Sequence, residues 1–340
     1  MKLIIQIPCF NEAETLPSTI ADLPRQVPGF DDIEFLVIDD GSTDGTHEVA
    51  NELGVHHIHR LPQNRGLAYA FALGLETALK LGADVIVNTD GDNQYQGEYI
   101  KDLIRPIMEG EAEMVIGDRQ IDRISHFSPM KKMLQKIGSW VVRWASGTDI
   151  PDATSGFRAF SRKAALQLVV FSSYTYTLET IIQAGKKGIS IFSIPVATNT
   201  MLRESRLIRS MPRYVIQSAA TILRIFLMYE PMRVFLTLGT IPLIAGSILL
   251  LRFGYFYFTG DGAGHIQSLI VASILIVLGL LTFLLGMLAD LIARNRRLTE
   301  EINYRIRRMD LEDDYPANHS TSYSEIKFQS EEKKLKSLDK

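Results

Sequence analysis

The chain has 340 residues, of which 46% are hydrophobic, a formal net charge of −3 and one cysteine. This length suits one substantial domain and a second element. The slightly acidic net charge gives no indication of a nucleic-acid partner. Because Cys9 is the only cysteine, an internal disulfide is excluded, and the absence of disulfides is typical of proteins in a reducing compartment. The apolar residues after Lys2 end too soon, at Asn11, for a signal peptide, so we expect the amino-terminal part to stay in the cytosol.

Short apolar runs alternate with amphipathic segments between residues 2 and 116. The runs predict buried strands at residues 2–7, 33–38, 55–58, 85–87 and 114–116. Helices are predicted at residues 46–53, directly after residues 64–66, and at residues 99–108. Strands and helices that alternate in this way imply an α/β fold with a mostly parallel, doubly wound sheet.

Two carboxylates one residue apart, Asp90 and Asp92, follow the strand at 85–87, and Gln94 comes two residues later. Positions i, i+2 and i+4 of an extended segment share one face, and α/β proteins bind ligands at the carboxyl edge of the sheet. Three oxygen donors there suit Mg²⁺ or Mn²⁺, completed by water and substrate phosphates. Alone, the pattern is more often an ordinary acidic turn, so the metal interpretation depends on the other motifs.

Other predicted strands also end in polar residues. The strand at 33–38 runs into Asp39, Asp40 and a glycine turn at 41–45, and the fifth strand is followed by a turn that ends in Arg119. A strand that ends in acids, repeated along the chain, is typical of a nucleotide-binding sheet.

Two long apolar runs occupy residues 234–258, where Arg252 is the only charge, and residues 266–289. Each reaches the roughly 20 residues that cross a bilayer as a helix; the alternative is a buried hairpin of a soluble protein. Arginines lie on the outer sides of the pair, at Arg203, Arg206, Arg209, Arg213, Arg224 and Arg233 before it and at Arg294, Arg296, Arg297, Arg305, Arg307 and Arg308 after it. The loop at 259–264 has no Lys or Arg, so the positive-inside rule predicts a multi-pass protein of the cell membrane with both termini cytoplasmic.

Taken together, the motifs resemble those of the GT-A glycosyltransferases of family 2, over roughly the first 210 residues. The residues that carry the resemblance are Pro8, Asn11, Glu12, the segment VIDDGSTDGT at 37–46, Asn64, Gly66, Asp90, Asp92, Gln94, Gly117, Arg119, Asp152 and those at 154–158. With the two apolar runs, the chain is most similar to the polyprenyl-phosphate glycosyltransferases, a group that includes dolichol-phosphate mannose synthase. The resemblance implies an inverting enzyme that moves one sugar from a UDP- or GDP-sugar to undecaprenyl or dolichyl phosphate.

Four segments follow from this interpretation. A Rossmann-like GT-A catalytic domain is expected at residues 1–206, and an amphipathic basic helix in the headgroup plane at 207–232. The transmembrane pair is expected within 233–293. Residues 294–340 are expected to begin as a charged cytoplasmic helix and to end in a disordered polar tail.

The resemblance also implies roles for the acids and their neighbours. It assigns nucleotide-sugar binding to six residues, which are Pro8, Asn11, Glu12, Asp39, Asp40 and Asp90. The divalent cation is assigned to Asp90, Asp92 and Gln94, and Asp92 is therefore a catalytic candidate. Carboxylates accept hydrogen bonds from ribose hydroxyls or a base imide, but the sequence does not tell which of Asp39 and Asp40 reaches the ligand. The alternative for Asp40 is a capping or turn acid.

A lipid phosphate acceptor is already ionised near neutral pH, so a strong general base is unnecessary and cations aimed at phosphate are required. The candidate cations are Arg119, Lys131, Lys132, Arg203 and Arg206, and for the last two the alternative is attraction to anionic lipid. Asp152 is the candidate for a base or sugar-orienting acid. Ser155 is expected on an acceptor-side loop, and Glu179 either faces the site from a helix or is an exposed acid.

Two other functions remain open at this stage. A processive polysaccharide synthase shares the GT-A core, but its Gln-x-x-Arg-Trp motif lacks the Gln in the nearest match, residues 140–144. A catalytically silent membrane scaffold would have no chemical need for Asn11, Glu12, Asp90, Asp92 and Arg119 together. The sequence leaves the sugar, the lipid and a possible homo-oligomeric state undetermined.

Overall fold

The structure, a computed structural model, describes residues 1–120, 129–170, 176–199, 216, 219–220, 223–224, 227, 229–260 and 262–314. The chain divides into two units. Residues up to 222, together with those from 303 onwards, belong to the first unit, and residues 223–302 form the second.

A seven-stranded sheet forms the centre of the first unit. Its strands are β1 (Lys2–Cys9), β2 (Asp32–Asp39), β3 (His57–Arg60), β4 (Val85–Asn88), β5 (Met114–Asp118), β6 (Arg158–Ser161) and β7 (Ile191–Pro195), in the order β3-β2-β1-β4-β6-β5-β7. All neighbours pair in parallel except β6, which is antiparallel to both β4 and β5. The predicted mostly parallel α/β sheet is confirmed.

Seven helices of the described residues belong to this unit. They are α1 (Leu16–Asp22), α2 (Thr46–Glu52), α3 (Leu67–Lys80), α4 (Ile100–Met108), α5 (Pro129–Ser146), α6 (Arg162–Gln167) and α7 (Thr177–Lys187), and a 3₁₀ turn at Gly97–Tyr99 precedes α4. The three helices predicted from sequence correspond to α2, α3 and α4. The predicted boundaries, which did not include an end for α3, lie within one residue of the observed ones.

The core lies against β1, β2 and β4, where Leu3, Ile5, Val37, Val85 and Val87 are completely buried. Strands covered on both faces read as continuous apolar runs, which is why the sequence located them. β1 is longer than predicted and continues through its proline. The ladder with β4 has already ended at Gln6 and Asn88, so the missing N–H group of that proline is tolerated.

β6 and β7 are elements that the sequence analysis did not predict. β6 has only four residues, and Arg158, expected on an acceptor-side loop, is its first residue, paired with Asn88 of β4. A short strand inserted between two others is specified by its neighbours in the sheet rather than by its own periodicity. Its antiparallel direction brings the loop before it to the carboxyl ends of β4 and β5.

The second unit contains the long helix α8 (Pro231–Phe258), a 3₁₀ turn at Gly262–His265 and α9 (Ile266–Asp314) as far as residue 302. Both are long and apolar enough to cross a membrane. An 18-residue stretch within α8 has a mean hydropathy of 2.2 and is 11% buried, and one within α9 has a mean hydropathy of 2.8 and is 17% buried. So little burial is unlike the core helix of a soluble protein. α9 continues past residue 289 without a break, so the charged helix expected from residue 294 is its extension.

Small residues let α8 and α9 approach closely. A Cβ on Gly246 would lie 2.9 Å from both the carbonyl oxygen of Ala272 and Cγ1 of Ile276. We expect Gly246→Leu to destabilise the hairpin by about 1–3 kcal/mol, because a side chain there forces the helices apart. Thermal unfolding of the full chain in detergent measures this. The matched control is Gly254→Leu on the same helix, where a Cβ meets no described atom within 4 Å; equal losses at the two positions would contradict the prediction.

Candidate functional site

The topology brings six chain segments to one edge of the sheet. Strands β1, β2, β4, β5 and β7 run in one direction, as does β3, whereas β6 runs in the other. The carboxyl ends of these five strands therefore lie at the same edge of the sheet as the start of β6. Loops at this edge carry nearly all the polar residues singled out from sequence. The carboxyl edge of an α/β sheet is the usual place for a ligand crevice.

Loops after β1 and β2 are hydrogen-bonded to each other. The Asn11 N–H donates to Ser42 Oγ at 2.9 Å, and Asn11 Oδ1 accepts the Thr43 N–H at 2.8 Å. The Glu12 N–H donates to Thr46 Oγ1 at 2.9 Å. Asn11 has a φ of 57°, a left-handed conformation that asparagine tolerates. These two residues therefore hold the loops after β1 and β2 together.

The carboxylates of Asp39 and Asp40, which follow one another at the end of β2, are used differently. Both oxygens of Asp40 accept backbone N–H groups of residues 65–66, at 2.7 and 2.8 Å, and burial raises the pKa of Asp40. One oxygen of the fully buried Asp39 accepts the Ser42 N–H at 2.8 Å. Its other oxygen, Oδ2, has no hydrogen-bond partner among the described residues and lies 3.4 Å from Arg60 Nε. Asp40 thus shapes the turn, whereas Asp39 retains acceptor capacity.

Gly41, in the loop after β2, is required where this loop meets the segment that follows β3. Its φ is 73°, and a Cβ there would lie 2.6 Å from the carbonyl carbon of Gln63. The left-handed backbone and the close approach each exclude a side chain. The glycine therefore allows the segment at residues 63–66, which Asp40 holds by hydrogen bonds, to pass directly over the end of β2.

Asp90, Asp92 and Gln94 lie on a turn rather than on an extended segment. β4 ends at Asn88, and Asn93 has a left-handed φ of 55°, so the i, i+2, i+4 geometry expected from their spacing does not apply. The Asp92 carboxylate accepts the Gln94 N–H at 3.2 Å and closes this turn. Asp90 and Asp92 remain close enough for the charge of Asp92 to act on Asp90.

The environment of Asp90 disfavours its charged form. Burial, and then the charge of Asp92, raises the pKa of Asp90 to about 7, although the Arg119 guanidinium acts in the opposite direction. Gly156 brings its backbone against this carboxylate, since a Cβ there would lie 2.9 Å from Asp90 Oδ1. A buried carboxylate that ionises only at a cost, beside a second acid, is suited to a cation.

We expect the protein without metal to lose stability through Asp90 as the pH rises from about 4 to about 7. The folded pKa lies above the unfolded value of about 3.9, so the folded state binds the extra proton in this window. Asp90→Asn removes this titrating group. As the pH rises through this window, the free energy of unfolding of the wild type, relative to that of the variant, should therefore fall by up to about 1.4 kcal/mol per pH unit. Thermal unfolding at several pH values in chelator tests this; a constant difference between the two proteins would contradict it.

Arg119 and Asp152 form a buried, bidentate ion pair. Arg119 Nε donates to Asp152 Oδ2 at 2.7 Å, and Nη2 donates to Oδ1 at 3.0 Å and to Thr154 Oγ1 at 2.7 Å. Burial alone would raise the pKa of Asp152, but the charge of Arg119 outweighs it and lowers that pKa. A carboxylate held ionised in this way is a weak base. The geometry argues against a general-base role for Asp152 and favours one in orienting Arg119.

Arg158, completely buried at the start of β6, organises the loop that precedes it. Its guanidinium donates to the carbonyl oxygens of Ala153 (3.0 Å), Ser155 (2.8 Å) and Thr177 (2.9 Å), and to Thr180 Oγ1 at 2.6 Å. Burial lowers the pKa of Arg158 to about 10. This side chain therefore ties the loop carrying the ion pair to the first turn of α7 instead of facing an acceptor.

The remaining predicted acceptor-side residues differ in how the structure places them. Lys132 belongs to α5, but its side chain lies outside the described residues, as do Arg203 and Arg206 entirely. Ser155 is completely buried, and its hydroxyl accepts a backbone N–H within its own loop. Glu179 is 1% exposed on α7, so the interpretation of it as an exposed acid is wrong.

Asn88 organises a buried network that the sequence analysis missed. Its Nδ2 donates to the carbonyl oxygen of Gly156 at 2.8 Å and to Tyr176 Oη at 3.0 Å, and its Oδ1 accepts from Gln6 Nε2 at 2.8 Å. Tyr95 Oη accepts the Gly156 N–H at 3.0 Å. The available signal was an amide side chain in each of two otherwise apolar strands, because buried amides require partners.

The fold and the acids at the ends of β2 and β4 define the class of protein, a GT-A glycosyltransferase. Residues 4–168 match the family described as Glycosyl transferase family 2. Over 207 residues the chain is 30% identical to the undecaprenyl-phosphate mannosyltransferase of Micrococcus luteus, which covers 58% of this chain and 83% of that protein. The chain belongs to glycosyltransferase family 2.

Two further similarities extend the comparison. Over 214 residues the chain is 29% identical to a UDP-N-acetylglucosamine–dolichyl-phosphate N-acetylglucosaminyltransferase of Methanococcus voltae, covering 56% of this chain and 83% of that protein. The glucosyl-3-phosphoglycerate synthase of Mycobacterium tuberculosis, solved with Mn²⁺, UDP and phosphoglyceric acid, superposes with a TM-score of 0.51 at 20% identity over 65% of this chain and 78% of that one. The second similarity concerns the fold alone.

Proposed function

We propose that the protein transfers a single sugar, with inversion, from a nucleotide-sugar to a polyprenyl phosphate at the cytoplasmic face of a membrane. The observation that carries the proposal is the meeting of Asp39, the Asp90 and Asp92 turn and the Arg119–Asp152 pair at one sheet edge, in a chain with two apolar helices. Relatives named for undecaprenyl-phosphate and dolichyl-phosphate acceptors support the class of acceptor.

The nucleotide is assigned to the ends of β1 and β2. Asp39 is the residue that accepts from the base or ribose, because its Oδ2 has no hydrogen-bond partner among the described residues. Pro8, Asn11 and Glu12 border the same end of the sheet, and Asp40 acts indirectly by holding the turn. Because the relatives differ in sugar, the donor has to be found with a panel of UDP- and GDP-sugars.

Asp90, Asp92 and Gln94 are the residues that would hold Mg²⁺ or Mn²⁺. The donor set fits, since two carboxylates that repel each other share a turn with Asn93 and Gln94, and Asn93 Oδ1 is buried with no hydrogen-bond partner among the described residues. No three His, Cys, Asp or Glu side chains of the described residues are grouped as metal ligands, so diphosphate oxygens and water complete the set. When bound, such a cation neutralises charge on the departing nucleoside diphosphate.

The acceptor needs little help from a base. A phosphate monoester with a second pKa of about 6 is largely a dianion at neutral pH, so its oxygen attacks the anomeric carbon opposite the leaving diphosphate without first losing a proton. Arg119, oriented by Asp152, supplies positive charge between the two anionic substrates. Lys132, Arg203 and Arg206 are proposed as further phosphate contacts on the basis of sequence.

Ser155 and Glu179 are assigned to the support of the acceptor side rather than to ligand contact. Ser155 Oγ accepts the Phe157 N–H, and Glu179 Oε1 accepts from Gln183 Nε2 at 3.3 Å, so both side chains make hydrogen bonds within the protein. Ser155 therefore contributes to the shape of the loop at residues 152–157, which Arg158 also holds, and Glu179 contributes to the packing of α7.

The membrane assignment depends on α8 and α9. Apolar side chains on both are widely exposed, for instance Leu251 at 74% and Ile292 at 69%, and an apolar phase is the medium in which such surfaces are stable. The loop at 259–264 carries no Lys or Arg, whereas arginines flank the outer ends. This asymmetry supports our proposal that the loop lies outside and the catalytic unit in the cytoplasm.

The decisive experiment measures transfer of labelled sugar into the organic phase. Purified full-length protein is incubated with polyprenyl phosphate and each of several UDP- and GDP-sugars, with Mg²⁺ or Mn²⁺ and with EDTA. We expect label in the lipid from one donor and none in EDTA. Label only in a polymer would favour the polysaccharide synthase, and bound nucleotide without any transfer would favour the silent scaffold.

A further inference from the structure

The four residues that follow β7 cross the carboxyl edge of the sheet. At the start of this stretch the Val196 N–H donates to the carbonyl oxygen of Asp118, at the end of β5, at 2.8 Å. Two residues later, Thr198 pairs with Tyr95 of the loop after β4 in an isolated antiparallel bridge. Because β5 and β6 separate β7 from β4 in the sheet, residues 196–199 connect parts of the edge that the strands keep apart. We call them the crossing segment.

Asn199 ends the crossing segment with two hydrogen bonds to the turn at residues 90–94, which we call the acidic turn. Its backbone N–H donates to the carbonyl oxygen of Gln94 at 2.9 Å, and its side-chain Nδ2 donates to that of Asn93 at 3.1 Å. Asn199 and Asn93 lie 106 residues apart in sequence. A single distant residue therefore provides a donor for each of two successive carbonyl groups of the turn.

The Asn199 side chain orients the peptide unit that holds the Asp92 carboxylate. The carbonyl group of Asn93 and the N–H group of Gln94 belong to one planar peptide unit. Its carbonyl oxygen accepts from Asn199 Nδ2, and its N–H donates to Asp92 Oδ1 at 3.2 Å. Rotation of this unit would break both bonds together, and Asn93 has a left-handed φ of 55° that its surroundings have to support. The direction of the Asp92 carboxylate therefore depends on Asn199.

We propose that Asn199 is a positioning residue of the cation site and fixes the acidic turn relative to Arg119. This role rests on the proposed function, which assigns the cation to the acidic turn. The crossing segment bonds to that turn at one end and, at the other, to Asp118, the residue before Arg119. In the proposed reaction the cation faces the departing diphosphate, and Arg119 supplies charge between the two substrates. The two groups therefore have to be held at a fixed separation.

The fold of the crossing segment does not depend on the Asn199 side chain. Asn199 is only partly buried, and its backbone hydrogen bond and the Thr198 bridge remain when the side chain is replaced. The start of the segment is anchored separately, because Val196 is buried and packs closely on Gly117, where a Cβ would lie 3.1 Å from it. Replacement of the Asn199 side chain should therefore change the acidic turn and leave the crossing segment in place.

Asn199→Leu separates positioning from a contribution to the fold, because leucine has nearly the shape of asparagine but no N–H donor. The full-length protein in detergent is titrated with Mn²⁺ alone and followed by electron paramagnetic resonance. We expect the Mn²⁺ dissociation constant to rise about 3–10-fold, the equivalent of one net hydrogen bond. In EDTA, amide hydrogen exchange in a peptide that covers the acidic turn should become faster, while the temperature of unfolding changes little.

The matched control is Thr198→Val, which replaces the neighbouring side chain of the same segment. Thr198 meets Tyr95 through its backbone, so we expect the Mn²⁺ affinity and the exchange rates of this variant to match those of the wild type. An unchanged Mn²⁺ affinity in Asn199→Leu would overturn the proposal, whether or not the variant is less stable. Equal weakening of Mn²⁺ binding in the two variants would also overturn it, because the segment as a whole would then be responsible.

Mn²⁺ binding and hydrogen exchange are measured without turnover, so they separate this role from the proposed function. A wild type that binds Mn²⁺ more tightly than Asn199→Leu but transfers no sugar would support the role of Asn199 and count against the transferase. A wild type that transfers sugar and binds Mn²⁺ no more tightly than Asn199→Leu would do the reverse.

Discussion

Asp92→Asn is expected to reduce metal-dependent sugar transfer by about 10²–10³-fold, because a cation that stabilises a leaving diphosphate contributes several kcal/mol. Asparagine keeps an oxygen that can accept the Gln94 N–H, the hydrogen bond that closes the turn. The fold of the turn is therefore preserved while one anionic ligand is lost. Initial rates with Mn²⁺, together with Mn²⁺ affinity from electron paramagnetic resonance, measure the effect.

The matched control for this variant is Glu98→Gln. Glu98 is an exposed acid in the 3₁₀ turn a few residues later, so the same charge is removed close in sequence without removing a proposed ligand. We expect its rate and its Mn²⁺ affinity to remain near those of the wild type. If Asp92→Asn kept both quantities unchanged, the metal assignment would be wrong; if both variants lost activity equally, local charge rather than coordination would be responsible.

Asp152→Ala is expected to lower the free energy of unfolding by about 3–5 kcal/mol, because it leaves the Arg119 guanidinium buried without its partner. The double variant Arg119→Met with Asp152→Ala should lose less than the sum of the two single variants, since both charges are then absent. Unfolding of the full chain in detergent, followed by tryptophan fluorescence, provides these values.

An exposed ion pair serves as the control for the buried one. Lys163 and Glu113 pair on the surface of the same unit, with Lys163 widely exposed, and Lys163→Ala should cost no more than about 1 kcal/mol. Transfer assays on the same variants add a functional readout: Arg119→Met should raise the KM for lipid phosphate more than the KM for the donor. Additive losses in the double variant would show that the pair is not coupled.

The sequence by itself determined the strands β1, β2 and β4, the acids that follow β4 and the two apolar runs. Strands buried on both faces give uninterrupted apolar runs, and a helix that spans a bilayer gives a run of defined length. Both signals are local, so they can be read without knowing what packs against what. The resemblance to family 2 glycosyltransferases was equally accessible, because its motifs are short segments in a set order.

Only the tertiary structure decided how the polar groups of the site are paired. It showed that both oxygens of Asp40 accept backbone N–H groups whereas only one oxygen of Asp39 does, and that Arg119 is bound by an aspartate distant in sequence. It also showed Arg158 as the buried first residue of an antiparallel strand. A hydrogen-bond partner depends on which distant segments the fold brings within about 3 Å, and neither periodicity nor spacing carries that information.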